Sequence, residues 1–262
     1  HGIPLARHGA RAITSRCGTV DIMEALGINV ECPAAVVAHS INTAGIGLFN
    51  GMSSQIHPGG LGRILAQIRF GTIFNIAASL ANPARPRRAM RGIYSRAMLE
   101  PVSRIMQEIG FQRALVVHGR VDGQGTGIDE LSVCGTSSIC HVDAGTRHCF
   151  DIVPGDVSLP RHSAAEIAAS ASLETEVLRF LSVVSGMGKF RGCEDFVALN
   201  AGAILWMERI SPSLSAGVAD ARHALAAGAA LDMLRSWCGS QCHQDGSGLK
   251  RLSLLEKKAL SS

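Results

Sequence analysis

Aromatic side chains are scarce, making up 4% of the 262 residues, with one tyrosine and two tryptophans. A chain so poor in rings fills its core with alanine, glycine and valine, the profile of a closely packed α/β protein; its 47% apolar content is enough to bury one large core. No apolar run reaches the roughly 18 residues of a membrane span, which excludes a helical membrane protein at this level of reading. Paired C-x2-C knuckles are missing too: Cys17, Cys32, Cys134, Cys140, Cys149 and Cys193 stand singly. Cys238, Cys242 and His243 form the single close group and lack a fourth ligand. A chain of this size needs no disulfide staples, so free thiols are expected. Charge of one sign is also in short supply. The net charge of +4 suits an enzyme of small anions and is too diffuse to argue for nucleic acid. No secretory signal is visible, so the cytoplasm is the expected location.

What the sequence has is concentrated in residues 6–27, ARHGARAITSRCGTVDIMEALG. A short apolar segment runs into Arg7, His8, Gly9, Arg11, Thr14, Ser15, Gly18 and Thr19, and a helical pattern begins at Asp21. Glycine, hydroxyl and guanidinium groups leading into a helix can hold phosphate oxygens on backbone N–H groups and charged donors. The plainer reading is a polar strand-to-helix loop with solvated arginines. His8 reads equally as a phosphate donor or as a packed, hydrogen-bonded ring.

Further along, Pro33 predicts the first turn of a helix that ends near Gly45, followed by a strand over 46–49. Helices are expected over 59–68 and 72–80, then an arginine-rich loop (Arg85, Arg87, Arg88, Arg91) into a strand over 90–94. Ser95 could cap a helix over 97–109, and the apolar run 114–118 reads as the centre of a mainly parallel sheet. Shorter strands are expected over 131–133, 137–142 and 149–153, with Asp143, Ala144 and Gly145 in a turn. Ser163 and Glu166 form a capping-box pattern, and the rest is helical over 174–185, 194–210 and 216–237. The polar residues 239–262 read as a loosely ordered tail, leaving 1–238 as one α/β catalytic domain. Asp129 and Glu130 follow a glycine-rich loop; adjacent carboxylates there can hold Mg2+ bridged to substrate phosphates, or can simply be solvated.

The stretch resembles the anthranilate phosphoribosyltransferase family, whose members carry Lys-His-Gly-Asn-Arg, Ser-Ser, Gly-Ser-Ala-Asp and Leu-Glu-Ala-Leu-Gly in one run. Arg7-His8-Gly9-Ala10-Arg11, Thr14-Ser15, Gly18-Thr19-Val20-Asp21 and Met23-Glu24-Ala25-Leu26-Gly27 stand in those places. Later blocks follow in order: Thr72-Ile73-Phe74-Asn75, Leu80-Ala81-Asn82-Pro83, Ala114-Leu115-Val116-Val117-His118-Gly119 and Ile128-Asp129-Glu130-Leu131-Ser132. The resemblance covers nearly the whole chain. It implies an α/β catalytic domain of the nucleoside phosphorylase/phosphoribosyltransferase type, with a mainly parallel central sheet flanked by helices. It also implies transfer of the phosphoribosyl group of 5-phosphoribosyl 1-pyrophosphate to anthranilate with loss of pyrophosphate, a step of tryptophan biosynthesis.

By position, Arg7, His8, Gly9, Ala10, Arg11, Thr14, Ser15 and Thr19 would meet the phosphoribosyl donor, and Asp129 and Glu130 would hold Mg2+. His57 and Arg69 would line the acceptor pocket. No general base stands out, so no catalytic residue is assigned. Three departures matter. Arg7 replaces a lysine, which keeps charge and changes geometry. Ala10 replaces an asparagine and cannot hydrogen-bond through its side chain. The loop after His57 is shortened, which leaves Arg69 as the favoured acceptor cation. The resemblance implies an upstream helical domain and a Gly-Thr-Gly-Gly-Asp loop that this sequence does not contain. The chain is therefore expected to be N-terminally incomplete, to be inactive alone, and to form a homodimer when whole. Two alternatives stand beside this: a pyrimidine nucleoside phosphorylase, and a non-enzymatic relative binding nucleic acid through Arg85, Arg87 and Arg88. The Asp129-Glu130 pair disfavours both, since neither needs metal carboxylates.

Overall fold

The computed structural model describes residues 1–11, 17–56, 77, 80–125, 127–170, 172–243 and 245–261. In chain order the elements are β1 (Leu5–Gly9), α1 (Thr19–Ala25), α2 (Ala34–Ala44), β2 (Ile46–Asn50), β3 (Arg88–Gly92), α3 (Leu99–Glu108), β4 (Arg113–Arg120) and β5 (Gly127–Ile128). They continue with β6 (Ser137–Asp143), β7 (Thr146–Ile152), α4 (Ala164–Ile167), α5 (Leu173–Val184), α6 (Arg191–Met207), α7 (Leu214–Ala226), α8 (Ala229–Ser240) and α9 (Ser247–Ser261). Contacts divide the chain into two compact units. One comprises His1–Arg85, Ala169–Val184 and Ala229–Ser262, the other Pro86–Ala168 and Ser185–Gly228. No helix among the described residues is long and apolar enough to cross a membrane.

In the first unit β1 and β2 pair in parallel, from Leu5 opposite Ile46 to Gly9 opposite Asn50. The connection between them ends on α2, which begins after Pro33 and stops at Gly45. Gly45 takes the left-handed conformation (φ 78°) that glycine alone adopts without cost. A Cβ on Gly47 would come within 2.8 Å of Val37 and Ile41, so the helix rests directly on the strand. Val20, Leu26, Ile28, Leu48, Leu181 and Leu252 are buried together in the core beneath.

The expected loose tail is a helix. Leu252 and Ala259 of α9 are buried, and Gly248 lies so close to Gly27 that a Cβ on Gly27 would sit 2.4 Å from the Gly248 carbonyl oxygen. Its polar composition is that of a solvated helix face whose inner side carries leucines. Gln241, completely buried just after α8, ties the end of the chain to its beginning. Its Oε1 accepts from Leu48 N and Trp237 Nε1, both at 2.9 Å. Its Nε2 donates to Leu48 O (2.9 Å) and Asn29 O (3.1 Å).

The second unit is built on a sheet of order β3-β4-β6-β7, with β5 beside the end of β4. Only β3 and β4 run parallel; β4–β5, β4–β6 and β6–β7 are antiparallel. The sheet is thus mixed and not mainly parallel. The hairpin explains why: Ala144 (φ 47°) and Gly145 (φ 87°) both adopt positive φ, the twist that joins antiparallel neighbours. Cys140 and Cys149 face each other across this hairpin and are joined as a disulfide, correcting the expectation of eight free thiols. Residues 131–133 are not a strand either, because side chains satisfy their backbone. Asn200 donates to Leu131 O and accepts from Leu131 N, and Ser137 Oγ accepts from Ser132 N. The helix expected over 216–237 is two, α7 and α8, parted at Gly228 (φ 74°) where the chain passes from one unit to the other. Ser95 precedes a 3-10 turn (Arg96–Met98) without a side-chain cap, so α3 starts later than expected.

α6 and α7 pack backbone to backbone, since a Cβ on Gly202 would lie 2.4 Å from Val218 N. Ser163 and Glu166 form the expected capping box at α4. The ring of His162 is clamped there, with Nδ1 2.8 Å from Glu166 and Nε2 2.9 Å from Asp195. Burial opposes the charged ring, but the bonds to Asp195 and Glu166 outweigh it and raise the His162 pKa. The Glu166 carboxyl is held down at about 2, by the Ser163 backbone first and His162 second.

Gln241→Ala is expected to destabilise the chain by about 3 kcal/mol, because it strands buried partners; urea unfolding measures this. His162 contributes stability that is complete below its ordinary value of 6.5 and is lost as pH rises through the raised one. The difference in melting temperature between the chain and its His162→Gln variant should therefore shrink in alkaline buffer, with Glu166 ionised throughout.

Candidate functional site

The phosphate-type stretch begins on β1, which carries Arg7, His8 and Gly9 to the strand's end, with Ala10 and Arg11 following. Asn82 Nδ2 donates to Ala6 O at 2.8 Å and fixes the strand's flank; its own Oδ1 accepts from Ala84 N, so Asn82 organises a turn. The His8 ring lies over Gly51, where a Cβ would come 2.9 Å from Nε2, and Gly51 N donates to Gly9 O at 2.7 Å. Gly18 precedes α1, and its N–H donates to Asp21 Oδ2 at 2.8 Å.

The two arginines have different fates. Arg7 is exposed, and its guanidinium donates to Thr19 Oγ1 at 3.4 Å. Arg11 is turned onto carboxylates: Nη1 and Nη2 both donate to Glu24, the second at 3.0 Å, Nη2 reaches Glu31 at 3.2 Å, and Asp21 lies 3.8 Å away. The Glu24 hydrogen bonds push the Arg11 pKa further above its ordinary range and lower that of Glu24. Glu31 in turn accepts from Asn50 Nδ2 at 2.8 Å, and Asn50 is buried at the end of β2. Glu31 and Asn50 had no role in the sequence reading, and Glu24 figured there only within a family motif. The spacing of Asp21 and Glu24, three apart on one helix face, is the signal that could have shown where Arg11 goes. Thr14, Ser15, His57 and Arg69 lie outside the described residues.

Asp129 and Glu130 belong to the second unit. Both are exposed, on a bend directly after β5. Their backbone, by contrast, is seated hard against two strands. A Cβ on Gly92 of β3 would lie 1.4 Å from the Asp129 carbonyl oxygen, and one on Gly119 of β4 would lie 2.5 Å from that of Glu130. Before the pair, Gly127 packs on the buried ring of His118 (2.2 Å from its Cε1 to a Cβ at 127), and His118 Nδ1 is 2.9 Å from Ile93 O. After it, Asn200 clasps Leu131 and Ser132 Oγ donates to Arg120 O at 2.7 Å. Gly92, Gly119, Gly127, His118 and Asn200 were missed as site-forming residues, although glycines inside strands do signal close backbone approach.

A pair of exposed carboxylates on fixed backbone fits Mg2+ well. This ion keeps several waters and binds through one or two carboxylates together with substrate phosphates. Asp129 and Glu130 would hold it.

Residues 1–231 match the family described as "Glycosyl transferase family, a/b domain", and the chain belongs to it. Its relatives there are anthranilate phosphoribosyltransferases, as the resemblance implied. That of Rubrobacter xylanophilus is 36% identical over 235 residues, covering 89% of this chain and 66% of the relative. That of Brucella ovis is 35% identical over 237 residues, with the same coverage. The chain thus spans just under two thirds of the length of these relatives. Among solved structures, anthranilate phosphoribosyltransferase from Thermus thermophilus superposes with a TM-score of 0.76 at 29% identity, over 92% of this chain and 69% of that one. The Saccharomyces cerevisiae enzyme in complex with PRPP and Mg shares the fold (TM-score 0.75, 20% identity, 92% and 66% covered).

Gly92→Ala is expected to cost about 3 kcal/mol, as overpacking of a rigid backbone contact does, while Gly155→Ala, with open space around it and no positive φ, should cost far less. Denaturant unfolding of the two variants makes the comparison.

Proposed function

We propose that the chain is the catalytic α/β part of an anthranilate phosphoribosyltransferase. In this reading it moves the phosphoribosyl group of 5-phosphoribosyl 1-pyrophosphate to the amine of anthranilate and releases pyrophosphate. The observation that carries the reading is the Asp129-Glu130 pair, exposed in its side chains and immobilised in its backbone, in a chain of this family. Mg2+ held there would neutralise the pyrophosphate as it leaves. Arg7, exposed and lightly engaged, binds a donor anion, with Thr19 orienting its guanidinium. Arg11 acts differently: its carboxylate partners hold it as a strut that sets the start of the loop. Thr14 and Ser15 supply hydroxyl donors to the same anions, and Gly9 and Ala10 let backbone approach them.

The bond between C1 of the ribose and the pyrophosphate oxygen breaks as the amine nitrogen bonds to C1. An aniline-type amine needs no strong base, consistent with the absence of an assigned one. His57 and Arg69 receive the acceptor, Arg69 through its carboxylate. Cytoplasmic location and a homodimer follow the family habit and complete this reading.

The nucleic-acid alternative loses ground on charge. Arg88 is paired with Glu208 (2.7 Å), which neutralises one of the three arginines that alternative relies on. The phosphorylase alternative leaves the carboxylate pair unexplained.

Calorimetric titration with 5-phosphoribosyl 1-pyrophosphate, with and without Mg2+, tests the proposal. Binding should require Mg2+, weaken at least about tenfold in Asp129→Asn, and weaken about tenfold in Arg7→Ala with the fold intact. Metal-independent binding, or unchanged affinity in Asp129→Asn, would overturn it.

A further inference from the structure

The starts of β3 and β4 lie at the other end of these strands from Gly92 and Gly119. A cavity of about 390 Å³ is found there, lined by Arg87, Arg88, Gln112 and Arg113. That volume is at the small end of ligand pockets, which run from about 300 to 1,000 Å³. Every one of these side chains carries N–H donors. Among the described residues no carboxylate and no apolar side chain lines the space.

The strand pairing forces this charge together. Arg88 stands opposite Arg113 in the parallel register, and like charges directly opposite one another are destabilising. Carboxylates outside the lining offset part of the cost. Glu208 accepts from Arg88 at 2.7 Å, and Asp143 is shared by Arg113 (3.4 Å) and Arg209 (2.7 Å). Two carboxylates thus face four arginines, Arg87 included. Arg87 and Gln112 are exposed, and neither side chain has a partner among the described residues. Their backbone is nevertheless fixed: Arg87 O accepts from Gln112 N at 2.7 Å, and Gln112 O accepts from Ala144 N at 3.1 Å.

These are donors that a ligand can reach, held on rigid strands, with positive charge in excess. Guanidinium forks take phosphate oxygens in pairs. A ring or an alkyl chain finds no wall here, so the ligand that fits is nearly all charge and oxygen. A single-stranded nucleic acid is tracked by cations spread along a groove, whereas these converge on one space.

We propose that this cavity binds inorganic pyrophosphate, with one phosphoryl group on Arg87 and Gln112 and the other between Arg88 and Arg113. Nothing in the proposed transfer reaction uses these residues, and the site stands or falls independently of it.

The test is a calorimetric titration of the chain with inorganic pyrophosphate in Mg2+-free buffer at physiological ionic strength. Binding should be saturable, with one site per chain. Arg87→Ala should weaken it at least about tenfold and Gln112→Ala severalfold, with circular dichroism unchanged. Arg191→Ala, which removes an exposed guanidinium elsewhere in the same unit, should leave it unaltered. Acetate, with a single charge, should not bind in the same buffer. Neither should 5-phosphoribosyl 1-pyrophosphate, whose diphosphate carries a sugar at one end. If Arg87→Ala fails to fold, Gln112→Ala and the comparison of ligands on the unaltered chain decide. No saturable binding would overturn the proposal, as would equal weakening by Arg87→Ala and Arg191→Ala, which would mark general surface charge. Tighter binding of a single-stranded oligonucleotide that displaces pyrophosphate would overturn it too.

Discussion

The second unit depends on the lack of side chains at Gly92 and Gly119. The backbone of Asp129 and Glu130 occupies the space where two β-carbons would be, so loop and strands are in direct contact. This contact converts a glycine-rich connection, usually the softest part of a chain, into a fixed platform. The parallel pairing of β3 with β4 sets the two glycines side by side, since Gly92 is opposite Val117 and Gly119 lies two residues beyond. His118 and Asn200 then close the segment from either end. The carboxylates face solvent while everything beneath them is packed.

Charge is handled in the same economical way in both units. Arg11, Arg88, Arg113 and Arg209 all meet carboxylates, and His162 is shared between two. Exposed ion pairs of this kind add little stability each. What they do is offset positive charge locally, whereas the Arg7 guanidinium, bonded to the neutral hydroxyl of Thr19, keeps its charge toward an approaching anion.

Much of this was legible in the sequence where local chemistry is decisive. Pro33 and Gly45 bracket α2, the apolar run 114–118 lies within β4, and Ser163 with Glu166 caps α4. The ordered motifs pointed to the right family. Long-range pairing was less readable. An apolar run does not say whether its neighbour is parallel, so the antiparallel side of the sheet and the facing Cys140 and Cys149 emerged only from register. Residues 239–262 looked like a tail because a surface helix shows mostly its polar face; the few leucines that bury it are spread over the turns. Within the candidate site, the partners of Arg11 at Glu24 and Glu31 depend on the fold bringing α1 and the following loop together.

Gln241 has a bearing on how the protein is made. Its side chain closes hydrogen bonds with Asn29 and Leu48, residues that leave the ribosome some two hundred positions earlier. The strand pair that carries Arg7 therefore cannot reach its final form while the chain is growing. β1 and β2 must wait, with their apolar faces uncovered, until α8 and α9 have been synthesised. The pieces of the second unit end at Gly228 and can come together sooner. Among these residues, the first unit is thus completed only after the pieces of the second have been made.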